Sequence, residues 1–288
     1  MSERFPFSIP NGWFQVAYSD ELGVGGVQPL HYFDQDLVLF RTESGEVALL
    51  DAFCPHLGAH LGHGGVVEGD RIRCPFHSWE FDGQGVCRNV PYAKKVPRKA
   101  KVAPWHCVER NQIIWAWHHG EGAAPTWDIP EVAEVSSDDW TALERHRWTV
   151  RTHNQEIGEN AVDRAHFRYV HGATKVPESE LTLDGHIRRA IQHVDMRTSR
   201  GEVKGQLKVE AHGMGCTITR LTGICETVLL LSHTPIDGVA AGMIKEIVRQ
   251  MEQDIPIWEH KKYLPKPMLC DGDGPIPEYR KWASQFYS

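Results

Sequence analysis

Residues 54–83 read CPHLGAHLGHGGVVEGDRIRCPFHSWEFDG, and one short pattern occurs in them twice. Cys54-Pro55-His56 is followed, after 17 residues, by Cys74-Pro75-Phe76-His77. Each half places one Cys and one His on a short loop that carries a Pro and is followed by a Gly, Gly58 in the first and Gly83 in the second. Proline holds φ and glycine permits φ > 0, so such loops can aim two ligands at one point without a helix. Thiolate together with imidazole suits zinc or an iron–sulfur cluster. A disulfide framework fits poorly. Seven cysteines is an odd number, and the N-terminus (MSERFPFSIPNGW) lacks the basic-then-apolar form of a secretion signal.

Composition narrows the class. Of 288 residues, 41% are hydrophobic and 24% charged, ordinary globular usage that excludes collagen, coiled coil and disorder. The length predicts two domains or one large one. Thirty-one Lys+Arg against 38 Asp+Glu leaves a net charge of −7, which argues against a nucleic-acid or anionic-membrane binder. No apolar run approaches the ~20 residues of a membrane span, so a soluble, cytoplasmic protein is expected. Among the 17 histidines, His118, His119, His146, His193 and His260 have polar neighbours and read as solvated. Cys87, Cys107, Cys216, Cys225 and Cys270 lack paired spacing and read as buried or spare thiols.

The first ~120 residues read as β, with runs at Trp13–Tyr18, Leu37–Arg41, Val47–Asp51, Arg71–Cys74 and Ile113–Trp117 between Gly, Pro and Asp turn signals. That spacing predicts a small antiparallel sandwich or barrel. Gly120–Pro130 reads as a linker. Beyond it, Trp148–Glu156 is expected to be a strand, Ile157–His171 helical, and Ile187–His233 a second β region. From Met243 the period is helical, and the tail Tyr263–Ser288 reads as irregular.

Mixed Cys/His pairing separates zinc from iron–sulfur. Zinc fingers usually keep Cys with Cys and His with His. Here opposed loops can deliver Cys54 and Cys74 to one iron and His56 and His77 to the other, the ligand set of a Rieske [2Fe–2S] centre. The spacing resembles the cluster motif of Rieske non-haem iron oxygenases, with Ser78-Trp79 and Asp82-Gly83 after it. By itself it fits a Rieske ferredoxin equally well.

A second constellation decides between carrier and enzyme. Asp163, His166 and His171 fall at intervals of three and five. Three places Asp163 and His166 on one helical face. Five would set His166 and His171 about 140° apart on an ideal helix, so a local widening or a helix end near Gly172 is expected. Two histidines and one carboxylate make the facial triad of O2-activating iron. The stripe Met243, Ile244, Ile247, Val248, Met251, Ile255 and Trp258 defines a buried helix face, and Asp254 lies at its edge. Asp254 is therefore taken over Glu252 or Asp237. Pro256 opens the helix by freeing the Glu252 carbonyl.

Taken over nearly the whole chain, including Thr234–Asp237, Gln253–Tyr263 and Leu269–Pro275, the sequence resembles the oxygenase component of 3-ketosteroid 9α-hydroxylase and its steroid- or sterol-oxidising relatives. The resemblance implies an α+β protein. Residues 1–122 would form an all-β Rieske domain and 123–288 a helix-grip catalytic domain, an antiparallel sheet with helices. It implies a [2Fe–2S] cluster on Cys54, His56, Cys74 and His77, and mononuclear Fe(II) on His166, His171 and Asp254. Asp163 would carry electrons between them across a subunit boundary of a homotrimer, bonded to His166 and to His77 of the neighbouring protomer. Asn160 would lie near the iron. O2, a hydrophobic steroid-like substrate and a separate NAD(P)H-dependent reductase, with or without a ferredoxin, complete the implied system. No G-x-G-x-x-G fingerprint of an NAD(P)H site is present. Related outcomes are aromatic hydroxylation, demethylation or desaturation. The chain departs from its relatives between Asp237 and Met243, where they carry longer strand-and-hairpin material.

Overall fold

The structure is a computed structural model that describes residues 4–173, 175–198, 201–223, 225–236, 245–269 and 273–288. Asp237, Met243, Ile244 and Cys270 lie outside them. The chain is α+β, with an all-β N-terminal half and, among the described residues, a second half of one sheet and four α-helices.

The N-terminal half contains β1 (Gly12–Tyr18), β2 (Val27–Tyr32), β3 (Gln35–Arg41), β4 (Val47–Asp51), β5 (Val66–Glu68), β6 (Arg71–Arg73), β7 (Glu80–Asp82), β8 (Cys87–Asn89), β9 (Pro104–Trp105), β10 (Cys107–Arg110) and β11 (Ile113–His118). They form three antiparallel sheets in the orders β1-β11-β10, β2-β3-β4-β9 and β5-β6-β7-β8. The last carries the metal-directed loops on a core of Leu50, Leu61, Ile72 and Phe81. Two hairpins turn on paired residues with φ near +58°, Phe33-Asp34 and Asn111-Gln112. Paired positive φ matches the right-handed twist of the strands. A bulky Phe tolerates it because its ring is buried and stacked on Trp105 and His118 at 5.3 and 5.1 Å. The tip also donates from Phe33 N and Asp34 N to Pro235 O and Ile236 O, joining the two halves.

In the second half, β12 (Glu178–Asp184), β13 (Ile187–Thr198), β14 (Gly201–His212), β15 (Cys216–Thr222) and β16 (Thr227–Leu231) pair antiparallel in chain order. Helices α1 (Asn154–Asn160), α2 (Arg164–Tyr169), α3 (Lys245–His260) and α4 (Ile276–Ala283) accompany it. Helix α4 packs Tyr279 and Trp282 against Leu181 and Leu183. It meets α1 at Gly158, where a Cβ would come within 1.8 Å of the Tyr279 hydroxyl. The same helices are joined by Arg280 donating to both Glu159 oxygens at 2.7 and 2.9 Å.

Several expectations change. Trp148–Glu156 forms no strand; α1 begins at Asn154 because the His153 ring accepts from Gln155 N and caps it. The single helix expected over Ile157–His171 is two, divided at Asp163, whose carboxylate caps α2. The tail contains α4, started by Pro277 in its first turn. The predicted linker is not free, since the carbonyl of Trp127 accepts from Trp13 Nε1 and its ring meets Trp117 and Phe286. His118 is half-buried, and burial lowers its pKa. Residues before β1 lie against the second half: Arg4 donates to Trp258 O and Lys261 O, and Phe7 stacks on Tyr287.

Candidate metal centres

The two Cys/His loops close by the same hydrogen bonds. Cys54 O accepts from Gly58 N and Cys54 N donates to Ala59 O; Cys74 O accepts from Ser78 N and Cys74 N donates to Trp79 O. The closing residue has positive φ in both, +76° at Gly58 and +57° at Ser78. Cys54 and Cys74 are each 2% exposed. Burial, with Cys74 adding, pushes the Cys54 thiol up to about 12, so it becomes a thiolate only when a cation offsets the charge. The His56 and His77 rings stand 4.6 Å apart, and His56 stacks on Trp79 at 4.7 Å. Trp79 is held by its Nε1 donating to Tyr92 Oη at 2.8 Å. His77 Nδ1 is buried with no hydrogen-bond partner. A buried ring nitrogen without a partner is what a metal ligand looks like before the metal is counted. The four side chains fit a Rieske cluster.

The second site is assembled from distant segments. Helix α2 ends in a widened turn: Val170 N and His171 N both donate to His166 O, and Gly172 follows with φ +74°. The rings of His166 and His171 meet edge-to-face at 4.9 Å. Helix α3 brings Asp254, 5% exposed, to within 3.3 Å of His171 Nε2, while Glu252 faces solvent. Ligand atoms of His166, His171 and Asp254 all lie within 4.8 Å of one another. Burial lowers the His166 pKa and so favours the neutral imidazole that can ligate. The donor set, two neutral imidazoles and a carboxylate, fits non-haem iron.

The neighbours orient these rings. Asn160 Nδ2 donates to Asp254 Oδ2 at 2.8 Å and lies 3.3 Å from His166 Nε2. His166 Nδ1 bonds the main-chain carbonyl of Asp163, not its carboxylate. Asp163 Oδ1 instead accepts from Ala165 N and His166 N, capping α2. His171 Nδ1 bonds Gln253 Oε1 at 3.0 Å. Gln253 was not foreseen from the sequence. Its only signal there is adjacency to Asp254, because its partner lies 82 residues away.

A family model for the Rieske [2Fe–2S] domain matches residues 12–102, and one for the 3-ketosteroid 9α-hydroxylase C-terminal domain matches residues 116–240 and 237–287. The chain is a Rieske non-haem iron oxygenase. Among curated relatives of this oxygenase, a cholesterol 7-desaturase of Caenorhabditis elegans is 34% identical over 98% of this chain and 78% of that protein. A 3-ketosteroid-9-alpha-monooxygenase oxygenase component of Rhodococcus rhodochrous is 32% identical over 98% of this chain and 81% of that protein. The fold is similar to dicamba monooxygenase bound to dicamba, with a TM-score of 0.77 at 19% identity over 97% of this chain and 98% of that one. The alignment with the worm protein runs over 336 positions, more than the 288 residues of this oxygenase. The C-terminal family match divides at 237–240.

Proposed function

We propose that this chain is the oxygenase component of a multicomponent monooxygenase that hydroxylates a hydrophobic, steroid-like molecule with O2 and electrons from a separate reductase. The observation that carries the reading is the approach of Asp254 to His166 and His171, because a Rieske electron carrier has no use for a second metal site. Cys54, His56, Cys74 and His77 would hold the cluster, and His166, His171 and Asp254 the mononuclear iron. When bound, these groups supply one-electron transfer and O2 activation, sending one oxygen atom into product and the other into water.

This chain's own residues prepare that chemistry. Gln253 and the Asp163 carbonyl accept from the Nδ1–H groups of His171 and His166, turning each Nε2 lone pair toward the same point. Asn160 donates to the Asp254 carboxylate and stabilises its negative charge. Both in-chain bonds of the Asp163 carboxylate use Oδ1, which leaves Oδ2 for His77 of the partner subunit in a homotrimer. Exposed apolar side chains support that assembly: Leu57, Phe76 and Tyr92 surround the cluster loops, while Tyr169, Ile257, Leu264 and Met268 lie on or beside the iron-bearing helices. Unlike patches of this kind join head to tail, and such contacts close into a ring when the rotation between subunits closes.

Desaturation is the second reading, favoured by the desaturase relatives, and it uses the same residues. The split family match supports a shortened segment before α3, which would alter the substrate chamber and not the triad. Iron analysis is the test. Three irons per chain with a dithionite-bleachable spectrum support an oxygenase, and two irons per chain would reduce it to a carrier. Product analysis with a reconstituted reductase and a steroid panel separates hydroxylation from desaturation.

A further inference from the structure

The inward face of the catalytic sheet carries buried polar side chains that the metal sites do not use, among them Arg188 and Gln192. On β13, Arg188, Ala190 and Gln192 alternate inward, opposite Leu183, Leu181 and Ser179 of β12 and Ala211, Val209 and Leu207 of β14. Arg188 is 2% exposed, and its Nε and Nη1 have no hydrogen-bond partner among the described residues. Gln192 is fully buried, with neither amide atom partnered. A buried guanidinium without an acid is among the costliest arrangements in a protein interior.

The described neighbours of Arg188 include no acid and offer its charge only the ring face of Tyr279, a cation–π contact. Its guanidinium lies 5.8 Å from the centre of the Tyr279 ring, and burial raises the Tyr279 pKa, so the phenol stays protonated. His233, which feels the Arg188 charge, is pushed down to about 4 by burial and is neutral at most. Between the two polar groups lies an apolar floor of Ala190, Leu181 and Val209, and the strand rise separates Arg188 from Gln192 by roughly 13 Å. Ser179, the cross-strand neighbour of Gln192, lines an open cavity of about 460 Å³ at the sheet edge, bordered also by Arg164, Leu181, Leu269 and the acidic Asp273 and Glu278, a rim whose two acids keep a carboxylate from resting there.

We propose that Arg188 receives a carboxylate at one end of the substrate and Gln192 a neutral oxygen further along it, so that the enzyme selects an elongated hydrophobic acid over its neutral counterpart. The proposal rests on the steroid reading above and narrows it to steroid acids.

Equilibrium dialysis of the iron-loaded holoenzyme tests it without turnover. The probes are a 3-keto steroid whose side chain ends in a carboxylate, the methyl ester of that acid, and a 3-keto steroid with no side chain. The wild-type protein is expected to bind the acid at least tenfold tighter than the ester. Arg188→Met should erase that preference while leaving ester affinity within about twofold, and Arg188→Lys should retain part of it. Equal wild-type affinity for acid and ester overturns the proposal and requires no variant to fold. Binding of the side-chain-free steroid but not of the acid overturns it and leaves the steroid reading standing. Binding of none of the three overturns both.

Discussion

In the N-terminal half, all four cluster-directed side chains lie between residues 54 and 77, on two loops closed by matching hydrogen bonds. In the second half, Asp254 meets Asn160 across 94 residues and His171 meets Gln253 across 82. One site is aimed by local backbone conformation and the other by helix packing. The consequence is a difference in vulnerability. Local loops should tolerate changes elsewhere in the fold, whereas the triad depends on α1, α2 and α3 staying in contact.

The largest test of this difference removes a ligand from each site. His171→Ala should abolish turnover and lower the iron content from three per chain to two, with the visible spectrum of the cluster intact. Cys74→Ser should also abolish turnover but bleach the spectrum. Loss of the spectrum in His171→Ala would show that the sites are not independent.

Acid should distinguish the halves next. The buried ring of His153 donates from Nε2 to Ser8 O, while its Nδ1 accepts from Gln155 N. Burial pushes its pKa down to about 4, against ~6.5 in an unfolded chain. Below pH ~6.5 the unfolded chain takes up a proton that the folded chain refuses. The associated stability is whole above that pH and falls as pH drops toward 4, by up to ~3 kcal/mol. Protonation would also remove the cap of α1, which carries Asn160. Urea midpoints at pH 7.5, 5.5 and 4.5 should show this slope, and His153→Gln should reduce it, leaving the share of the other buried histidines, His233 above all.

A smaller effect is expected from the residue that orients His171. Gln253→Leu leaves the Nδ1–H without this acceptor and should weaken Fe(II) or Co(II) binding by about 10- to 100-fold. The cluster spectrum should not change, and Gln253→Glu should restore binding. Equal metal affinity in wild type and Gln253→Leu would remove Gln253 from the site.

The smallest effect concerns the loops themselves. Gly58 has φ +76° and open space where a Cβ would stand. Gly58→Ala should therefore cost only the left-handed strain, about 1 kcal/mol. Ser78→Gly, at the matching position with φ +57°, should change stability in the opposite direction by less. Thermal loss of cluster absorbance measures both.

The Cys/His loops were legible because proline, glycine and four ligands of two types sit within one short stretch, where local torsions do the aiming. His166 and His171 were legible as a pair for a similar reason, and the widened helix end was foreseen from the awkward interval of five. Asp254 was separable from Glu252 by the apolar stripe on its helix, a one-dimensional pattern that reports which face is buried. Strand Trp148–Glu156 was misread because β-prone side chains were weighed without the His153 cap, and α4 was missed among the Pro and Gly that flank it.

The sequence by itself determined which chemistry this chain can hold, since ligand identity and short-range spacing survive without coordinates. Only the tertiary structure decided that the Asp163 carboxylate caps a helix while its carbonyl holds His166, that Gln253 holds His171, and that Arg188 and Gln192 face inward with polar atoms lacking a hydrogen-bond partner among the described residues. Those facts are contacts between segments far apart in the chain. A hydrogen bond across 82 residues leaves no periodic trace in either partner's neighbourhood, because it is set by how helices and sheet come to rest against one another.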